Sequence, residues 1–265
     1  YLASLGIPRT AAALPQLNLD WNVLRQSWRV MRLGLGQQRA VSHAMLGNSW
    51  FWFLGATYLT QIPAFAKELL HGDESVVTLI LTLFSVGIAL GSLLCERLSR
   101  HHVELGLVPF GALGLSLCGS LLWWHAAAFP AVAATQDWLT LLDEPLAWLI
   151  LADILGLGMF GGLYIVPLYA LIQSRSVAHE RSRVVAANNI LNALFMVASA
   201  LVAIVLLVLL QLTIPQLFLV VSLLSLAVTG ALFLSVPEFI ERFLLWLLGT
   251  RRGGALALRL RVRRG

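Results

Sequence analysis

The chain has 265 residues, 59% hydrophobic and 12% charged, with a mean hydropathy of +0.84 and a formal net charge of +5. Soluble domains carry about 25% charged residues, so water is not the solvent for most of these side chains, and neither a soluble enzyme nor a nucleic-acid-binding domain fits. The apolar runs are long and do not alternate, which selects membrane-spanning helices over a closed barrel.

Residues 1–8 (YLASLGIP) read as the end of an earlier apolar helix. The first residue is Tyr1, and no charged segment precedes a short apolar core, so no signal peptide is read. The expectation is a piece of a longer polypeptide. Residues 9–40 form a polar connector with Pro15 and five arginines, Arg9, Arg25, Arg29, Arg32 and Arg39. Within it Trp21, Leu24, Trp28 and Met31/Arg32 recur at helical spacing. That pattern fits an amphipathic helix on a membrane surface, or equally a solvated linker helix.

Six apolar stretches follow, at 41–63, 76–96, 104–128, 146–173, 185–210 and 214–235. Each approaches the roughly 20 residues that a bilayer core requires. Pro63 and Pro215 are expected at helix ends, where a missing N–H costs little. Charge sets the orientation. Seventeen of the 18 Lys and Arg residues fall before the first stretch, in the second and fourth connectors, or in the tail; Lys67 stands alone on the other side. The positive-inside rule then makes both termini cytoplasmic, and the regular alternation supports six spans. After the last span, Pro237 breaks the helix. Phe239, Ile240, Phe243, Trp246 and Leu247 then line one face of an expected interfacial helix, followed by a basic tail suited to anionic head groups.

Several constellations carry chemistry. The second connector reads GSLLCERLSRHH, in which Gly91 would let two helices approach closely and Glu96, beside Arg97 and Arg100, would accept hydrogen bonds from a neighbouring helix end or an Arg and so latch one conformation; an ordinary basic loop is the alternative. His101 and His102 beside it read as solvated. Gly87 with Gly91, Ala152 with Gly156, and Gly158 with Gly162 place small residues four apart, the spacing for close helix packing. Asp153 is the one carboxylate well inside an apolar run, and a charge at depth reads as functional in substrate or proton coupling unless it is merely interfacial. Asn188 and Asn192 share a helix face, which Ser199 continues. Tyr169 and Gln173 lie at matching depth on the preceding helix, and these groups line a polar path or tie helices together. Asn48, Trp52, Tyr58 and Gln61 give the first span a similar mix of polar and aromatic groups. Cys95 and Cys118 sit in or beside apolar helices without a C-x-x-C pair, so no disulfide, metal site or cofactor is read. No His is followed five positions later by Asp, and G-x-x-x-x-G-K, H-E-x-x-H and G-x-S-x-G are all absent, so no catalytic residue is assigned.

The GSLLCERLSRHH loop, the six spans and the polar connector ahead of them resemble the C-terminal half of a major facilitator transporter, with Glu96 where that family's loop has Asp and Ser99 where it has a second Gly. GMFGGLYIVPLYALIQSRS with VVAANNILNALFMV, and SWFWFLGATYLTQIP, resemble the bacterial lysophospholipid transporter family, in the form fused to a 1-acylglycerol-phosphate acyltransferase. VPEFIERFLLWLL resembles the join to that enzyme. The resemblance implies an all-α membrane protein whose six helices are half of a twelve-helix fold. It divides the chain into a connector (1–40), a transporter half (41–235) and an interfacial helix with tail (236–265). It further implies the bacterial inner membrane, a missing N-terminal half and a fused acyltransferase as partners, and alternating access for a lysophospholipid. In that reading Tyr169, Gln173, Asn188 and Asn192 meet the head group and Arg175 its phosphate. A small-solute facilitator, or a membrane anchor for the enzyme without transport, are the competing readings.

Overall fold

The computed structural model describes residues 22–99, 104–131 and 134–247, together with Gly6. Apart from Gly6, the helix end expected at 1–8 lies outside the described residues, as do Arg9, Pro15, Trp21, Arg100, His101, His102 and the basic tail from 248 onward. The described chain is all-α. Its elements are α1 (Val23–Leu35), α2 (Arg39–Glu68), α3 (Glu74–Ser99), α4 (Leu107–Ala127), the single turn α5 (Trp138–Leu141), α6 (Pro145–Arg175), α7 (Arg181–Ile204, continued by a π-helical turn Val205–Leu209), α8 (Ile214–Ser235) and α9 (Pro237–Leu247).

Five of these, α3, α4, α6, α7 with its π turn, and α8, are long and apolar enough to cross a membrane. The stretch expected as the first span is α2, which has 30 residues but falls short in apolarity. The physical reason lies in its interior. Asn48, Ser49, Thr57 and Tyr58 are buried in the bundle, where they make hydrogen bonds, so the polar groups that lower its hydropathy face protein. Pro63 lies inside α2 and not at its end; membrane helices tolerate such a proline where local adjustment satisfies the freed carbonyl. Pro215 opens α8 behind a capping box formed by Thr213 and Gln216.

α6 is the central helix, packed against α3, α4 and α2, while α2 also packs on α7 and α8. The α3–α6 crossing is made by glycine. A Cβ on Gly87 would meet the Gly158 Cα at 3.0 Å, and one on Gly162 would meet the Ile88 carbonyl at 2.7 Å. Gly91 is seated against the Met159 backbone and Gly158 against the Phe84 carbonyl. Backbones at this separation gain dispersion contacts that larger residues would forbid.

Contacts sort the connections onto two ends. At one, Gln37 donates to Glu180 (2.8 Å), and Gly106 abuts the backbone of Arg242 and Phe243. At the other, Gly72 bridges to Gln136, whose side chain donates to the Leu70 carbonyl (2.6 Å), and Lys67 pairs with Glu74 (2.8 Å). α2 runs from the first end to the second. α9 folds back beneath the bundle, with Phe239 buried beside Phe233 (5.3 Å) and Trp246 against Phe110 (5.4 Å). The apolar face expected to lie in the interface is therefore packed largely on α4 and α8; Leu244 and Leu247 remain exposed.

Candidate functional site

Three helices meet in a ladder of neutral polar groups. Asn48 of α2 donates its amide N–H to Asn188 Oδ1 of α7 (2.9 Å), and the two residues are 0% and 1% exposed. Ser49 has one hydroxyl proton and gives it to the Met45 carbonyl (2.9 Å), so toward Asn192 it accepts. The Asn192 amide is thereby oriented, because amide O and N are assigned from the network around them. Its nitrogen donates to Ser49 Oγ (3.0 Å), and its oxygen accepts from Trp52 Nε1 (3.1 Å) and Asn188 Nδ2 (3.2 Å). Trp52 Nε1 also lies 3.3 Å from the Tyr169 hydroxyl of α6. The ladder thus runs α7–α2–α6. It ends on Trp52 and Tyr169, which are half-buried, beside Gly55, around whose Cβ position nothing lies within 4 Å. At its deep end Asn48 Oδ1 is buried and accepts from no donor among the described residues. That orphan is notable, since buried polar groups are paired in the great majority of cases.

Asn48, Trp52, Tyr169, Asn188 and Asn192 are therefore one cluster. The remaining candidates lie elsewhere. Tyr58 is buried against α8, where its hydroxyl meets Ser222 Oγ (2.9 Å) and its ring the Phe218 ring (4.8 Å). Gln61 borders a cavity of about 450 Å³ at the opposite end, with Glu68, Leu207 and Pro215. Gln173 is exposed one turn beyond Tyr169. Arg175 makes a two-pronged ion pair with Glu238 of α9 (2.8 and 2.6 Å). Asp153 is 16 positions from Tyr169, roughly 24 Å along α6. Its carboxylate bonds His125 Nδ1 of α4 at 2.6 Å, with side chains 8% and 17% exposed. Glu96 and Arg97 are exposed at the end of α3, and Ser199 is buried on α7. Among the described residues no group of three or more His, Cys, Asp or Glu is placed to hold a metal, and both cysteines are free.

Sequence reasoning did not find Ser49, His125, Glu238, or Ser225, which accepts from Trp50 Nε1 (3.2 Å). His125 carried a usable signal, because a carboxylate at the depth of Asp153 needs a partner. Glu238 and Ser225 carried none, since their partners are distant in sequence.

These features define a multi-pass α-helical membrane protein with an uncharged hydrogen-bonding cluster at an open face. No family model and no solved structure matches the chain. Among curated proteins it is similar to the lysophospholipid transporter LplT of Serratia proteamaculans, with 26% identity over 176 residues, 66% of this chain and 39% of that protein. The same transporter of Escherichia fergusonii is 26% identical (65% and 39% covered), and that of Yersinia pestis 25% identical (66% and 38% covered). The chain thus spans about two fifths of the length of the curated relatives it matches.

Proposed function

We propose that this chain is the C-terminal half of a major facilitator-type transporter that moves lysophospholipids across a bacterial inner membrane by alternating access. α2 is then a sixth span and both termini are cytoplasmic. The likeness to lysophospholipid transporters supports the substrate class. The observation that carries the site is the polar ladder ending on Trp52 and Tyr169. The Tyr169 hydroxyl, 3.3 Å from Trp52 Nε1, offers a donor to a phosphate or glycerol oxygen, while the Trp52 ring offers apolar surface to the acyl chain. Neutral donors suit a lipid that must leave again, because desolvating fixed charges would hold the head group too tightly. Gln173 and Arg175 lie at the end through which the head group leaves. There a phosphate competes with Glu238 for the guanidinium, whose planar fork suits both. Gln61 borders the entrance at the other end. Asp153 with His125 stabilises the α4–α6 contact. Gly91, Glu96, Arg97 and Arg100 latch one of the two conformations. A fused acyltransferase would consume the imported lysolipid.

The test is uptake of a radiolabelled lysophospholipid by cells expressing the polypeptide that carries this chain. Trp52→Ala and Tyr169→Phe lower uptake about tenfold at unchanged membrane abundance, a loss of about 1.4 kcal/mol. If the unsubstituted protein takes up no lysophospholipid, the function fails. If it does and both variants match it, only the site assignment fails.

A further inference from the structure

The strongest unassigned surface is α1. Its sequence, VLRQSWRVMRLGL, contains three arginines and no acid. At about 100° per residue it has three faces. Ser27, Val30 and Gly34 turn toward the bundle, where Gly34 is seated on Ala187 of α7 and Met45 of α2. Leu24, Trp28 and Leu35 form a second stripe, 84%, 65% and 42% exposed, of which Trp28 and Leu35 border a groove of about 350 Å³ with Met31, Arg32 and Gly36. Arg25, Arg29 and Arg32 share the third face, a quarter turn beyond the apolar stripe.

We propose that this stripe is a binding surface for anionic phospholipid at the basic end of the bundle. Three observations select lipid as the occupant. A tryptophan and two leucines beside a row of arginines match the interfacial pattern, in which apolar groups enter the acyl boundary and guanidinium groups stay among phosphates. The surface is continuous with lipid-facing structure, because α7, on which α1 lies, turns Leu194, Val197 and Leu201 outward. The three arginines of α1, a helix that itself contains no acid, complement an anionic leaflet. α1 contacts α7 at Ala187, the residue before Asn188, so lipid held on the outer stripe loads the helix that carries the polar ladder. The assignment stands whether or not the chain transports lysolipids.

The experiment is spin-label accessibility on the full chain in nanodiscs of phosphatidylcholine alone or with phosphatidylglycerol. Labels are placed by Leu24→Cys or Trp28→Cys, with Gln26→Cys as the water-facing control, after Cys95→Ser and Cys118→Ser. Positions 24 and 28 become oxygen-accessible and nickel-shielded when phosphatidylglycerol is present, while position 26 stays nickel-accessible. Each of Arg25→Gln, Arg29→Gln and Arg32→Gln weakens that preference about fivefold. Nickel access at 24 and 28 in both lipids makes α1 a solvated linker and overturns the proposal. Shielding from both reagents in both lipids shows a protein occupant and overturns it too. Equal oxygen access in both lipids overturns the anionic assignment.

Discussion

At the residue scale, the polar ladder and the His125–Asp153 pair behave differently on substitution. Asn192 serves Ser49, Asn188 and Trp52 at once. Asn192→Ala therefore strips partners from several buried groups, and each orphaned group costs about 1–3 kcal/mol. Bilayer measurements of single interhelical hydrogen bonds are smaller, about 0.6 kcal/mol. The expected loss of unfolding free energy in detergent is about 1–3 kcal/mol, read by denaturant titration. For the His125–Asp153 pair the asymmetry is sharper. Removing one partner leaves a buried charge or an unsatisfied ring and costs about 3–5 kcal/mol, whereas replacing both with apolar groups is often neutral. Asp153→Leu alone is expected to destabilise strongly, and His125→Leu with Asp153→Leu to recover most of the loss. A double-mutant cycle on melting in detergent checks this. A double variant no better than Asp153→Leu would show that the pair does more than satisfy itself. The sequence exposed Asp153 because an acid stands out in an apolar run. His125, between Trp124 and Ala126 near a helix end, was legible only through the need of Asp153 for a partner.

Helices α3 and α6 show how much an element depends on missing side chains. Gly91 and Gly158 each abut the neighbouring helix backbone, which cannot rotate away as a side chain can. Gly91→Ala and Gly158→Ala are expected to cost about 1–3 kcal/mol each by overpacking, read as a lowered melting temperature. Gly55→Ala in α2 is the contrast: with nothing within 4 Å of its Cβ position, it gains helix propensity, up to about 1 kcal/mol. The four-residue spacing of these glycines was legible in the sequence, since helical periodicity puts them on one face. Which helix each face would meet was not, because spacing carries no information about partners. The start of α3 adds a pH-dependent element. Asp73 accepts from the Ser75 hydroxyl (2.6 Å), the Ser75 N–H (2.8 Å) and the Val76 N–H (3.3 Å). These bonds, the hydroxyl foremost, hold its carboxyl below the usual aspartate range. A folded value below the unfolded one gives stability that is present above the unfolded pKa, near ~3.9, and is lost as pH falls through the folded value. Ser75→Ala moves that loss to higher pH, which amide hydrogen exchange at Val76 and Val77 would report.

For the whole molecule, charge and topology are two views of one arrangement. The basic residues are segregated: among the described residues Lys67 stands at the end that holds Glu68, Asp73, Glu74, Asp137, Asp143 and Glu144, and Arg97, Arg175, Arg181, Arg183 and Arg242 stand at the opposite end, where Glu96, Glu104, Glu180, Glu238 and Glu241 also lie. This segregation was readable along the chain because a membrane turns a linear alternation of charge into a spatial one. Hydropathy read α2 less surely, since its polar residues are buried against α7 and α8, and hydropathy does not distinguish a polar group facing protein from one facing lipid. Its crossing is therefore the decisive test of six spans. With Cys95 and Cys118 replaced by serine, Gln37→Cys and His71→Cys place single thiols just before and just after α2. If α2 crosses, a membrane-impermeant maleimide added outside spheroplasts labels position 71 and spares position 37 until the membrane is permeabilised. If α2 lies within one leaflet, both thiols fall on the same side and label together. The five more apolar helices would then put the chain's two ends on opposite sides, against the concentration of arginine at both. The geometry favours the first outcome: α2 joins the Gln37–Glu180 contact at one end to the Leu70–Gln136 contact at the other. At 30 residues and about 1.5 Å per residue it is about 45 Å long, more than the roughly 30 Å of a hydrocarbon core.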